Sequence, residues 1–384
     1  MWTRRKAINR FLCGTALGVL TSPGRGVLAG FLAEDEISPA ERKAMAIVAA
    51  DFMNRFAVPG LSVAVARSGR LVYQEAFGAS NRDSGARLSP SNILRIASVT
   101  KPITSVAVFT LIEKGKLRLD DSVFGKGGIL GTRYGTPPYK RYVESITVDH
   151  LLTHTGGGWD NGSGDPMFSN PGMDQPHLIS WTLDNRSLIA APGAHWAYSN
   201  FGYCILGRVI EAVTQQSYHD YVREAVLLPC GITNMRIARS DVEHRAPDEV
   251  TYYGQAGEDP YGMNIERMDS HGGWAASPTD LIRFATHVDG LTSAPSILKL
   301  ATIGKMTSHC DVNANYARGW AVNSTGNWWH NGSLPGTTAI LVRTSTGFCW
   351  AALTNSRSQP GRVIDGALDR MMWEIVGKVN AWRI

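Results

Sequence analysis

The sequence predicts an α/β (α+β) fold: an antiparallel sheet built from both ends of the chain, flanked by terminal helices, with a mostly helical subdomain inserted between them. Three observations lead there. Two strand patterns follow a capped helix near the start, and three more precede a helix at the end. Between them, from about 95 to 290, helical patterns alternate with long Gly- and Pro-rich loops. A chain of 384 residues, 43% hydrophobic and 18% charged, has ample apolar mass for such a core and is too apolar for disorder.

The chain opens with a basic head, Met1-Trp-Thr-Arg-Arg-Lys6, followed by the short apolar stretch Phe11 to Leu20 and the small-residue cleavage point Val27-Leu28-Ala29. That order predicts an export signal over 1–29. Thr3-Arg4-Arg5 resembles the twin-arginine motif, and the apolar stretch is too short to span a bilayer as a helix. The expected location is periplasmic or secreted, or cytoplasmic if the leader is retained. The leader also accounts for the charge. The whole chain carries +5, but residues 1–29 hold five of its 38 basic residues and none of its 33 acidic ones, so the mature chain is balanced. No long basic run follows, which excludes nucleic acid as a partner.

Ser38-Pro39-Ala40-Glu41 is a capping box with Pro at the first helical position, and it opens a helix with Met45, Val48, Phe52 and Phe56 on one face. Leu61–Ala66 and Leu71–Phe77 read as strands joined by a turn at Ser68-Gly69. Helical patterns cover Val99–Lys114 and Phe201–Thr214, and Ser277-Pro278-Thr279-Asp280 opens a further capped helix. Trp320–Val322, Thr338–Val342 and Phe348–Leu353 read as strands, and Ile364, Leu368, Met371 and Ile375 mark the last helix. Residues 38–94 and 291–384 then form the α/β part of a catalytic domain over 30–384, and 95–290 its helical subdomain. A cleft between the two is the expected site. Cys204, Cys230, Cys310 and Cys349 are expected as buried thiols, with Cys13 leaving in the leader.

Three short motifs carry chemistry. Ser98-Val-Thr-Lys101 stands at the start of a helix, whose positive end favours negative charge developing on a serine oxygen. Lys101 returns to the same face one turn on, and burial would strip its ammonium of proton affinity and make it a base. Ser296-Ile-Leu-Lys299 repeats the spacing by chance. Tyr198-Ser-Asn200 is the only Tyr-x-Asn; its phenol can act as a base beside an ammonium, and its amide can bind a substrate carbonyl. His330-Asn-Gly-Ser333 lies on a late strand. There Gly332 permits close approach to the backbone, and the Ser333 amide can donate to an oxyanion. His154-Thr-Gly and His271-Gly-Gly share its pattern but not its position. His150 and His154 have the spacing of a helical zinc pair, yet Leu151 replaces the metalloprotease Glu and no third ligand is evident, so a structural role is expected. Of Trp328 and Trp329, alternation sends one inward, where it can line a pocket.

The ordered set of Ser-x-x-Lys, Tyr-x-Asn about a hundred residues later and a basic-x-Gly triplet resembles the penicillin-binding-protein and β-lactamase-like serine hydrolases. Arg95-Ile-Ala-Ser-Val-Thr-Lys-Pro, Leu151-Leu-Thr-His-Thr-Gly-Gly, Tyr198-Ser-Asn-Phe-Gly-Tyr and Gly273-Trp-Ala-Ala-Ser-Pro-Thr-Asp-Leu are similar to the class C branch, which includes family VIII carboxylesterases. The resemblance runs from about 38 to 384. It implies the DD-peptidase/β-lactamase-like fold, no metal or cofactor, and a small ester or amide substrate. By the same resemblance Ser98 is the acylated nucleophile and Lys101 and Tyr198 share its proton. Asn200, His330 and Gly332 hold substrate, and the amides of Ser98 and Ser333 form the oxyanion hole. One departure is His330, where β-lactamases carry Lys; a neutral ring holds a ligand carboxylate less firmly. That favours a carboxylesterase on small esters. The alternatives are a D-aminopeptidase, DD-peptidase or β-lactamase-type amidase, or a catalytically silent cell-wall-binding relative.

Overall fold

The computed structural model describes residues 37–291, 294–357 and 364–382; the predicted export signal lies outside them. Helix α1 (Pro39–Phe56) starts where the capping box places it. Ser38 Oγ accepts from Glu41 N–H, while the Glu41 carboxylate accepts from Ser38 N–H at 3.0 Å. Strands β1 (Gly60–Arg67) and β2 (Arg70–Asn81) follow, joined by a tight turn in which Ser68 and Gly69 both take positive φ (46° and 77°). That geometry matches the twist of an antiparallel pair. The chain continues through β3 (Ala86–Arg87), β4 (Leu94–Arg95), α2 (Thr100–Glu113), α3 (Val148–Leu152), α4 (Gln175–Asn185), α5 (Asn200–Thr214) and α6 (Tyr218–Val222). Then come β5 (Arg236–Ile237), β6 (Trp274–Ala276), α7 (Pro278–Thr286), α8 (Leu300–Thr307) and β7 (Ala321–Val322). The C-terminal end supplies β8 (Trp328–Leu334), β9 (Thr337–Arg343), β10 (Phe348–Thr354) and α9 (Ile364–Val376).

The main sheet has the order β3-β2-β1-β10-β9-β8-β7, all antiparallel, so the first and last long strands pair at its centre. Its central strands are apolar on both faces. Along β1, Val63 and Val65 point toward α1 and α9, whereas Ala64 and Ala66 face the other core. Along β10, Trp350 and Ala352 join the first set, and Cys349, Ala351 and Leu353 the second. This is the period-2 alternation of a sheet buried on both sides. Met45, Phe52 and Phe56 of α1 and Leu368, Met371 and Ile375 of α9 close the first face. Each such buried side chain contributes roughly 1.5–3 kcal/mol.

The opposite face carries α7, which packs on β1 and β10, and runs into the helical block around α2 and α5. Within that block the structure adds something the helical reading did not contain. A second sheet, β4-β6-β5, pairs Leu94 and Arg95 with Ala276 and Ala275. Strands of two or three residues are too short to show a period, so only long-range pairing defines them. Cys204, Cys230 and Cys349 are buried thiols; Cys310 is half-buried, and none of the four is bridged. No helix among the described residues is long and apolar enough to cross a membrane.

Candidate active site

Ser98 sits where β4 turns into α2. Ala97 before it holds φ +46°, a left-handed conformation unusual for a residue with a Cβ, and Ser98 lies in a single 3₁₀ turn, Ala97–Val99, that leads into the helix. Such a residue costs of order 1–3 kcal/mol and persists only when its surroundings hold it. Here Ile96 N–H donates to Trp274 O at 2.9 Å, and strand β8 presses on the turn from the other side. A Cβ on Gly332 would come within 2.1 Å of Ile96 O and 3.1 Å of Ser98 N. Gly332 was expected to admit substrate to the strand; the close neighbour is the nucleophile's own backbone. Arg95 anchors the entry to this turn. Fully buried, it donates to Pro260 O and Arg239 O, each at 2.6 Å, and lies 4.3 Å from the Tyr252 ring centroid. Ser98 itself is partly exposed while Val99, Thr100 and Lys101 are buried.

Lys101, in the first turn of α2, is completely buried and directs its three donors at three acceptors. Nζ lies 3.0 Å from Ser98 Oγ, 2.7 Å from Asn200 Oδ1 and 2.9 Å from His271 O. Burial lowers its pKa to about 7, against the opposing pull of the Asp165 carboxylate. A lysine of that kind is part neutral at physiological pH, within reach of a serine proton.

Asn200 begins α5, and the residue before it does the capping: Ser199 Oγ accepts from Gly202 N–H and donates to Trp159 O at 2.7 Å. The Tyr198 ring centroid stands 4.8 Å from Lys101 Nζ, and its hydroxyl is paired with Ser98. Burial raises the Tyr198 pKa above its ordinary value, an effect larger than the opposing bond from Ser98. The phenol is therefore protonated near neutral pH, which corrects the expectation that it acts as a base beside the ammonium; the group poised to accept a proton is Lys101. Asp165 was not foreseen. Its Oδ2 accepts from Asn200 Nδ2 at 2.6 Å, and nothing in Gly164-Asp165-Pro166 distinguishes it from an ordinary loop acid.

His330 faces Tyr198 across the cleft with ring centroids 6.2 Å apart. Hydrogen bonding fixes its tautomer. Ser199 N–H donates to His154 Nδ1 at 3.1 Å, so His154 carries its proton on Nε2, 3.1 Å from the Tyr316 hydroxyl. Tyr316 in turn lies 3.1 Å from His330 Nε2, and His330 Nδ1–H donates to Asn331 O at 2.6 Å. The chain runs in one direction with both rings neutral. Burial, aided by the charge of Lys101, pushes the His330 pKa down to about 3, and His154 is likewise held well below its ordinary value.

Ser98, Tyr198, Asn200, His330, Gly332 and Ser333 all line one cleft of about 580 Å³, with Lys101 at its floor. Strand β7 covers only Trp328 and Trp329 of β8, which leaves the edge from His330 to Ser333 open toward Ser98. Trp328 points into the core and packs on Trp320, while Trp329 lies against the α1–α9 face; neither lines the cleft. His150 caps α3 through Thr147, and Ser296-x-x-Lys299 lies in a loop before α8 with Lys299 exposed. Sequence reasoning also set aside His271, which lines the cleft beside Gly272 and accepts from Lys101 through its backbone. Among the described residues no group of His, Cys, Asp or Glu could hold a metal ion.

Penicillin-binding protein 4* of Bacillus subtilis is 25% identical over 312 residues, covering 73% of this chain and 64% of its own, so the chain spans less than two thirds of that relative. Among solved structures, the D-amino acid amidase of Ochrobactrum anthropi superposes with a TM-score of 0.71 at 20% identity, covering 88% of this chain and 98% of the amidase. EstCE1, described as a hydrolase with promiscuous acyltransferase activity, gives 0.70 at 21% identity, covering 89% and 99%. These two likenesses establish the DD-peptidase/β-lactamase-like fold. The β-lactamase family model matches residues 46–370, and the chain belongs to that family.

Proposed function

We propose that this protein is a serine hydrolase that works through an acyl-enzyme on Ser98, with small carboxylic esters as substrates. The observation that carries the reading is Lys101: a buried amine with a pKa of about 7, 3.0 Å from Ser98 Oγ. As Ser98 Oγ attacks the ester carbonyl, its proton passes to Lys101 Nζ, and the amides of Ser98 and Ser333 receive the oxyanion. Collapse breaks the carbonyl–alkoxy bond, and the alkoxide leaves with the proton that Lys101 took, delivered directly or through the Tyr198 hydroxyl, which gives up its own proton and regains one from Lys101. Water then attacks the acyl-enzyme by the same steps in reverse.

His330 supports the ester preference. A neutral ring already bonded to Tyr316 supplies no cation for the carboxylate that a β-lactam or a peptide C-terminus presents. An amide-cleaving reading has one observation of its own: an amine leaving group needs a proton, and burial keeps Tyr198 protonated. The test is a panel of p-nitrophenyl esters, D-amino-acid amides and a cephalosporin, run with Ser98→Ala as control. Ester hydrolysis that the variant abolishes supports the reading. Rates no better than the variant across the esters, with turnover of amides instead, replace it. The basic leader supports export to the periplasm or beyond, and a mature N-terminus still bearing Arg4 and Arg5 would overturn that part.

A further inference from the structure

The geometry points to Asp165 as a positioning residue: it locks the Asn200 side chain so that the amide oxygen faces Lys101 and the amide nitrogen faces away from the nucleophile. This rests on the reading of Ser98 and Lys101 as the reacting pair.

Asn200 is held at both ends of its amide by partners that tolerate only one orientation. Lys101 Nζ, with no acceptor when charged, lies 2.7 Å from Oδ1. Asp165 Oδ2, which as a carboxylate only accepts, takes Nδ2 at 2.6 Å. The Asn200 backbone N–H is also engaged, donating to Asn161 Oδ1 at 3.0 Å. Asp165 is itself fixed, because its other oxygen accepts from Met167 N–H at 2.9 Å and caps the short turn Pro166–Phe168. Rotating the Asn200 amide by half a turn would set an NH2 group against Lys101 and an oxygen against a carboxylate. Asp165 therefore imposes the polarity of the line Asp165–Asn200–Lys101–Ser98 from a position that does not line the cleft.

Charge adds to position. Asp165 is the acid that opposes the burial of the Lys101 ammonium. The other groups that face Lys101 are Tyr198 and Tyr203, with ring centroids 4.8 Å and 5.6 Å from Nζ, and the neutral rings of His154, His271 and His330. Burial raises the Asp165 pKa, against the bonds from Asn200 and Met167 and the charges of Lys101 and of Arg186, which donates to Ser169 Oγ at 2.9 Å beside it. Without Asp165 the amine of Lys101 holds its proton less tightly, so Ser98 becomes reactive at lower pH while its partner is less well placed.

The experiment follows the rate at which a fluorophosphonate probe labels Ser98, as a function of pH, in the full mature chain. Asp165→Ala and the double exchange of Asp165→Asn with Asn200→Asp are compared with the unaltered protein, and Asp165→Asn serves as the control for the exchange. Asp165→Ala is expected to lower the plateau rate about tenfold, through loss of alignment. It is also expected to move the acid limb down by about one pH unit. The exchange Asp165→Asn with Asn200→Asp restores every bond, since Asn at 165 can accept from Met167 and donate to Asp at 200. It also carries the negative charge one step closer to Lys101. It is expected to label faster than Asp165→Asn alone, with the acid limb moved up. An acid limb unmoved in both variants, whatever happens to melting temperature, overturns the proposal, because a merely structural acid would lower stability without shifting the limb. If the unaltered protein is not labelled at all, the hydrolase reading fails. The crystal structure of Asp165→Ala then decides the positioning role alone. A rotated Asn200 amide supports it, and an amide still bonded through Oδ1 to Lys101 overturns it.

Discussion

The Tyr316 hydroxyl lies 3.1 Å from His330 Nε2, on a ring that burial and the charge of Lys101 hold neutral. It closes a line of hydrogen bonds from the Ser199 backbone, next to Tyr198, to the Asn331 carbonyl on β8. The two sides of the cleft are thus joined by one phenol.

Tyr316→Phe should destabilise the protein by about 2 kcal/mol, because it leaves a buried donor on His154 and a buried acceptor on His330 without partners. Urea unfolding measures this. ¹⁵N spectra of the imidazoles should show His330 Nε2 losing its hydrogen bond while Nδ1–H stays bonded to Asn331 O. An unchanged midpoint and an unchanged spectrum would show that the phenol does not organise the line.

Ester hydrolysis should rise with pH through a limb near 7, as Lys101, with its pKa lowered to about 7 by burial, gives up its proton and becomes able to accept that of Ser98. Lys101→Ala should remove the limb together with the activity. The rings of His154, His271 and His330, held neutral by burial, should contribute no limb near 6.5. A profile governed by an ionisation that survives in Lys101→Ala contradicts this assignment.

Gly332→Ala should cost about 3 kcal/mol or more and abolish the reactivity of Ser98, because the added carbon would meet Ile96 O at 2.1 Å. Circular dichroism against temperature and phosphonate labelling report the two effects separately. A variant with normal melting and labelling would mean that β8 yields freely at this contact.

Acid should weaken the fold. Below 6.5 the unfolded chain protonates His154, His271 and His330, whereas the folded chain resists, His330 down to about 3. The unfolded state then binds more protons, so stability is present above 6.5 and falls as pH drops through that window. The urea midpoint should decline steadily from pH 6.5 to 4, and His330→Gln should make the decline shallower. A midpoint level across the range would rule out this source of acid sensitivity.

The elements legible from sequence were those with a local cause. The box at Ser38, the Ser68-Gly69 turn and the alternating strands at both ends need only their own residues to be recognised. The same holds for Ser98, Lys101, Tyr198, Asn200, His330 and Ser333, whose spacing in three motifs anticipates one cleft. What sequence did not show depends on partners far along the chain. Asp165 matters through Asn200, Tyr316 through two histidines, and Arg95 through carbonyls at 239 and 260. The protonation of Tyr198 belongs to the same group, since it follows from burial that no local pattern encodes.

The pairing of Leu61 with Thr354 and of Arg67 with Phe348 has a consequence for how the chain reaches its native state. The central ladder joins segments far apart along the chain, so its loop-closure entropy is met only once β10 has been made. Until then β1 has β2 on one edge and an unpaired row of backbone donors and acceptors on the other. Such topology folds slowly and late, as a cooperative closing event rather than in step with synthesis. A chain cut short before β10 would be left as an open hairpin, the form most prone to pair with its neighbours.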